Sequence, residues 1–143
     1  MSAISNPTGI TADQLANLPD DGQRRELLKG VIHMMSPAGG RHGQVALKLG
    51  RLLGAYVDAQ RLGIVFAAET GFVLSRNPDT VRAPDVGFVR QARIAALDDI
   101  DGFLPLAPDL AAEVISPSDR FSDVEEKAAC WMNSGVRVVL LVD

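Results

Sequence analysis

The stretch PDLAAEVISPSDRFSDVEEKAACWMNSGVRVVLLV, residues 108–142, decides how the chain folds. It opens on an apolar run of strand length, PDLAAEVI, and closes on another, VRVVLLV. Between them SDVEEKAACWMNSG reads as a helix, with Ser122 and Glu125 as a capping box at its start and Gly135 ending it. Strand, helix, strand in this order predicts two parallel neighbours joined by a right-handed crossover. One residue resists that reading. Glu113 is an acid inside the apolar strand, on the opposite face from Leu110, Ala112 and Val114. A carboxylate leaves water only at a cost of several kcal/mol unless a cation or a metal compensates it. The helix offers a cation, because Val124, Lys127, Ala128 and Trp131 recur at i, i+3, i+4 and i+7 and put Lys127 on the inward stripe. Lysine is almost never buried without a partner.

Working outward, IVFAAETGFVLS and then VRAPDVGFV read as strands separated by the turn-forming RNPDT, this first pair as a hairpin, with Asp85 following a proline that suits a strand entry. From Gln44 to Ala59 the residues Val45, Leu49, Leu52, Leu53 and Tyr56 keep helical spacing. That helix presents Lys48 and Arg51 on its other side, follows a loop SPAGGRHG and is closed by Gly63. RELLKGVIHMM reads as a β-hairpin turning at Lys29-Gly30. TADQLANLP is a short helix capped by Thr11 with Gln14 and stopped by Pro19. The elements together predict an α/β fold, a mixed β-sheet flanked by helices, with the final strand left uncovered.

The 143 residues suit a single domain over 1–143, and 47% apolar with 22% charged residues excludes wholesale disorder and fibrous repeats. No uncharged apolar stretch approaches the roughly 20 residues of a membrane span, and MSAISNPTGITADQ lacks the basic-then-apolar order of a secretory signal. A cytoplasmic location is the expectation. The lone Cys130 makes no internal disulfide and is expected to be a small buried hydrophobe. A net charge of −4 argues against gripping nucleic acid by bulk electrostatics. The charge is unevenly spread, however. Residues 21–61 hold seven Lys/Arg against three Asp/Glu, a local +4, which leaves −8 for the rest. A basic first half can face phosphates, and it can equally be a solvated helix surface.

Asp85 and Glu113, on two neighbouring strands, offer a pair of carboxylates. Phosphodiester hydrolysis uses such a pair, because Mg²⁺ binds through one or two carboxylates, waters and the substrate's phosphate. Asp85 also suits a strand-entry acid bonding backbone N–H groups, and Glu113 a buried ion pair with one of the arginines. Lys127 adds an ammonium that can offset the carboxylates, orient a water or stabilise a phosphoryl transition state, or else snorkel to solvent.

RRELLKGVIHMMSP, RHGQVALKLGRLLGAYV, RAPDV, DLAAEVISPSDR, the helix with Lys127 and Trp131, and GVRVVLLVD, taken in order, resemble the Uma-two family of endonucleases within the PD-(D/E)XK nuclease superfamily. The resemblance runs from about Thr11 to Asp143. It implies a restriction-endonuclease-like core and Mg²⁺- or Mn²⁺-dependent cleavage of nucleic acid, DNA being the expected substrate. Asp85 then matches the aspartate of PD, Glu113 the acid of (D/E)XK, and Glu26 an additional acid of the site. Ile115 stands where the motif's lysine would be, and Lys127 looks like its migrated replacement. The chain departs from the family pattern at Arg25, usually aromatic, and at Lys29, usually acidic, and members commonly continue past the position of Asp143.

The resulting expectation is a metal-dependent endonuclease in which Asp85 and Glu113 hold the metal, with Lys127 and Glu26 completing the catalytic set. Arg41, His42, Lys48 and Arg51 are the expected nucleic-acid-binding residues. His42 and His33 also fit plain exposure. The alternative is a catalytically silent nucleic-acid-binding or interaction domain that keeps the fold. The apolar last strand further predicts self-association as a dimer.

Overall fold

The computed structural model describes residues 9–143. The first eight residues, on which the reading of the leader partly rests, lie outside the described residues. Twelve elements follow one another among the described residues: α1 (Ala12–Ala16), β1 (Arg24–Leu28), β2 (Val31–Met35), α2 (Gly40–Gln60), β3 (Gly63–Ala67), β4 (Phe72–Ser75), β5 (Thr80–Arg82), β6 (Val86–Arg90), α3 (Gln91–Ala95), β7 (Leu110–Val114), α4 (Phe121–Asn133) and β8 (Val138–Val142). They build two four-stranded sheets flanked by helices, ordered β2-β1-β5-β4 and β3-β6-β7-β8. The first is antiparallel throughout; the second is mixed, with β7 and β8 parallel and α4 between them in sequence.

Local signals produced the elements they announced. The α1 capping box is closed by both bonds, Gln14 N–H donating to Thr11 Oγ1 at 3.1 Å and Thr11 N–H to Gln14 Oε1 at 2.9 Å. β1 and β2 pair as an antiparallel hairpin whose turn places Lys29 and Gly30 at φ 47° and 80°, the left-handed pair that a tight two-residue turn requires. Ala12 and Leu15 of α1 pack on Leu27 and Val81 of the first sheet, and Trp131 of α4 packs on Ala111 and Val136 beside the second.

Several expectations fail where one run of sequence serves two sheets. IVFAAETGFVLS is two strands in different sheets, β3 pairing with β6 and β4 with β5, so the expected hairpin runs from β4 to β5 across the turn at 76–79. VRAPDVGFV is not one strand. It breaks at Ala83-Pro84-Asp85, where β5 leaves the first sheet and β6 enters the second. Proline has no N–H for a ladder, and the Ala83 N–H donates instead to Glu26 Oε2 at 2.9 Å. The loop SPAGGRHG is helical from Gly40, so Arg41 and His42 stand on the first turn of α2; its N-cap, Gly39, has no side chain to signal it. Arg61, left-handed at φ 53°, caps the other end of α2. Gly63 instead opens β3, at a close approach where a Cβ would meet Val89 O at 2.1 Å. α4 starts at Phe121 with Arg120 as N-cap, which puts Ser122 inside the helix and leaves no side-chain cap. The short α3 was not foreseen. Cys130 is half-buried rather than buried.

α4 covers the Ala111 face of the mixed sheet, while β8 is its edge strand, with Val138, Leu140 and Leu141 exposed. None of the helices among the described residues is long and apolar enough to cross a membrane.

Candidate active site

The antiparallel pairing of β6 with β7 sets the site. Val86 lies opposite Ala112, so the next step outward places Asp85 level with Glu113. Asp85 is held there by two bonds to the same oxygen: the Val114 N–H donates to Oδ2 at 2.7 Å, and His42 Nε2 lies 3.1 Å from it. A carboxylate can only accept, so His42 carries its proton on Nε2. Oδ1 takes no bond from the described residues. Asp85 accepts a backbone N–H as a strand-entry acid would, and it also ties the break between β5 and β6 to β7 and to the first turn of α2.

Glu113, 6% exposed, points to α4. Two residues one helical turn apart hold its two oxygens: Trp131 Nε1–H donates to Oε1 at 2.9 Å, and Lys127 Nζ lies 3.2 Å from Oε2. Lys127 is therefore a partner of the acid rather than a side chain that only snorkels to solvent. Burial lifts the Glu113 carboxyl from 4.5 to about 7; Lys127 and the Trp131 bond work against that rise, and Asp85 adds to it. Such a site admits negative charge only when cations are close.

Glu26 approaches from the first sheet. It is buried on β1, and its Oε2 receives the Ala83 N–H one residue before Pro84. The same oxygen lies 3.5 Å from Nε of Arg82, the last residue of β5. Burial alone would lower the Arg82 pKa, but Glu26, Cys130 and Glu126 outweigh it and raise it above its ordinary value.

A cleft of about 1080 Å³ is lined by Glu26, Asp85, Glu113, Lys127, His42 and Arg41 together, with His33, Arg24 and Arg25 also at its walls. The structure thus brings six of the sequence-derived residues to one place. It leaves two out: Lys48 and Arg51 are exposed further along α2 and do not line the cleft. Sequence reasoning missed Trp131 as a donor and Arg82 altogether. Trp131 was visible only as a core residue on the apolar stripe, although an indole N–H facing an acid on the preceding strand was a usable signal.

The donor chemistry suits a hard divalent cation. Asp85, Glu113 and Glu26 offer only oxygens, and Mg²⁺ binds proteins through one or two carboxylates, completing its shell with water and phosphate. No group of three or more His, Cys, Asp or Glu able to hold a metal ion exists among the described residues, so an all-protein cage is not formed. A metal shared with a substrate needs only one or two protein carboxylates, the rest of its shell coming from water and phosphate.

The family model described as "Uma2: Putative restriction endonuclease" matches residues 12–143. A crystal structure described as "a putative nuclease belonging to DUF820", from Anabaena variabilis, superposes with a TM-score of 0.78 at 23% identity, covering 94% of this chain and 74% of its own. No curated protein matches the chain.

Proposed function

The chain belongs to the Uma2 family, and from that premise we propose that its cleft is a divalent-metal-dependent nuclease site acting on DNA. The observation that carries this reading is that Asp85, one residue outward from the Val86–Ala112 pair, accepts the Val114 N–H at 2.7 Å next to Glu113, with Lys127 3.2 Å from Glu113. Asp85 and Glu113 would hold Mg²⁺ or Mn²⁺, with Glu26 beside them; the ion would supply charge neutralisation and a bound water of lowered pKa. The chain's own groups do the rest. Lys127 balances Glu113 and stands ready for the added negative charge of a pentacoordinate phosphate. His42, on α2 and bonded to Asp85, orients that carboxylate and reaches the strand. Arg41 at the cleft mouth, with Lys48 and Arg51 along α2, forms a basic track for the phosphate backbone, whose charge dominates affinity. A single nuclease domain, a cytoplasmic setting and a dimer formed through β8 belong to the same proposal.

The test is incubation of the purified protein with supercoiled plasmid, single-stranded DNA and RNA in Mg²⁺ or Mn²⁺, with EDTA as control. Metal-dependent cleavage of DNA supports the reading; cleavage of RNA alone redirects it. Binding without cleavage of any substrate supports the second reading, a silent binding domain, which the absence of the motif's lysine at Ile115 favours.

A further inference from the structure

Arg82 has no role in the chemistry above, yet its environment is unusual. Its side chain is 6% exposed, and both Nε and Nη1 are buried without a hydrogen-bond partner among the described residues. Two carboxylates stand at ion-pair rather than bonding range, Glu26 Oε2 3.5 Å from Nε and Glu126 Oε1 3.6 Å from Nη1, and the Cys130 thiol also lies beside the guanidinium. Buried donors without acceptors are costly, so an orphaned guanidinium inside a cleft calls for a ligand that completes it. The two carboxylates are not equivalent. Glu26 is buried and its Oε2 already receives the Ala83 N–H, so it fixes Arg82 in place. Glu126 is 64% exposed and lies on the solvent side of Arg82, on α4 next to Lys127. An exposed carboxylate at 3.6 Å gains little over water and is easily exchanged. Glu26, Arg82, Glu126, Asp85, Glu113 and Lys127 all line the one cleft.

We propose that Arg82 is a phosphate-binding residue of this cleft and that Glu126 occupies its place in the free protein, to be displaced by a backbone phosphate that accepts from Nη1. The proposal rests on the nucleic-acid reading of the cleft. A phosphate diester brings a permanent negative charge and oxygens suited to a guanidinium, and a guanidinium already fixed by Glu26 loses little freedom on binding it. Glu126 then acts as an electrostatic gate on affinity: it screens Arg82 from adventitious anions and yields to a polyanion that Arg41 and the α2 track already hold.

The experiment is fluorescence anisotropy with a short labelled DNA duplex and a labelled single strand, in EDTA so that nothing is cleaved. It compares the parent with Glu126→Gln, Glu125→Gln, Arg82→Lys and the double variant Arg82→Lys/Glu126→Gln. Glu125 is an exposed neighbour on α4 with no ion pair to Arg82, so its variant reports the general effect of removing one surface charge. The expected result is that Glu126→Gln tightens binding about three- to tenfold while Glu125→Gln changes it less than about twofold. The Glu126 gain should also collapse in the Arg82→Lys background, since coupling between two positions exposes a shared interaction. Equal gains from Glu126→Gln and Glu125→Gln overturn the proposal, as does a gain that persists undiminished beside Arg82→Lys. DNA binding that ignores Glu126 overturns only this proposal, whereas absence of binding by both parent and Glu126→Gln overturns the nucleic-acid reading with it.

Discussion

Glu113→Gln should make the metal-free protein more stable at and above neutral pH and leave it nearly unchanged below about pH 4.5. The folded protein holds the Glu113 carboxyl at about 7 against an ordinary value of 4.5, a difference worth about 3 kcal/mol between its two protonation states. The folded state therefore binds this proton more tightly than the unfolded chain. Its stabilising effect is complete below pH 4.5, declines as the pH rises through about 7, and is gone above that. Glutamine keeps the shape, keeps an acceptor for Trp131 and removes the charge, while Lys127 retains contact with water at 22% exposure. At pH 8.5 the variant should gain about 1–3 kcal/mol, or roughly 3–9 °C in Tm for a chain of this size, and below about pH 4.5 the two should nearly coincide. Trp131 is the only tryptophan and sits on the titrating group, so its fluorescence should follow the parent's transition with a midpoint near 7 and stay flat in the variant. Mn²⁺ should pull the parent's midpoint down, because it binds the ionised form, and at ten times its Kd should stabilise the parent by about 1.4 kcal/mol and the variant far less. A variant that melts several degrees lower at pH 8.5, with no fluorescence transition in the parent, would refute this reasoning and leave a favourable Glu113–Lys127 ion pair as the explanation of the buried acid.

Trp131→Phe keeps the ring in the Ala111–Val136 cluster but strips Glu113 of a buried donor, so urea denaturation should show a loss of about 1–3 kcal/mol, and the decline in stability with rising pH should extend to higher pH than in the parent. Neutralising Arg41, Lys48 and Arg51 together should weaken DNA binding by similar factors on unrelated sequences and reduce the slope of log K against log salt by about 2.7; an unchanged slope places the DNA elsewhere. Leu140→Lys, on the exposed edge strand, should render a concentration-dependent sedimentation coefficient constant; a parent that is already monomeric at all concentrations removes the β8 dimer.

What the sequence revealed of the fold was local. The Thr11–Gln14 box, the Lys29-Gly30 turn and the strand–helix–strand unit ending in β8 each depend on residues a few positions apart, and each formed. The division into two sheets did not show, because alternation along VRAPDVGFV is blind to which sheet a residue joins. Only the donors diverted to Glu26 and Asp85 reveal the break at Pro84. The start of α2 hid behind glycines that carry no capping side chain. In the site, acids and a lysine in apolar runs stood out because charge is costly there, so Asp85, Glu113 and Lys127 were legible. Arg82 was not, since an arginine closing a short strand looks like an ordinary exposed residue until β1 and α4 are seen to enclose it.

The most direct test of the nuclease site is the initial rate of plasmid nicking in Mn²⁺ by the parent and by Asp85→Asn, prepared identically and checked for equal melting. Loss of the metal-binding charge at Asp85 should lower the rate at least about a hundredfold, equivalent to ~2.7 kcal/mol of transition-state stabilisation, with DNA affinity nearly retained. Nicking by Asp85→Asn at the parent's rate, or the same low rate from both with and without Mn²⁺, would contradict the assignment of this cleft as a metal-dependent nuclease site.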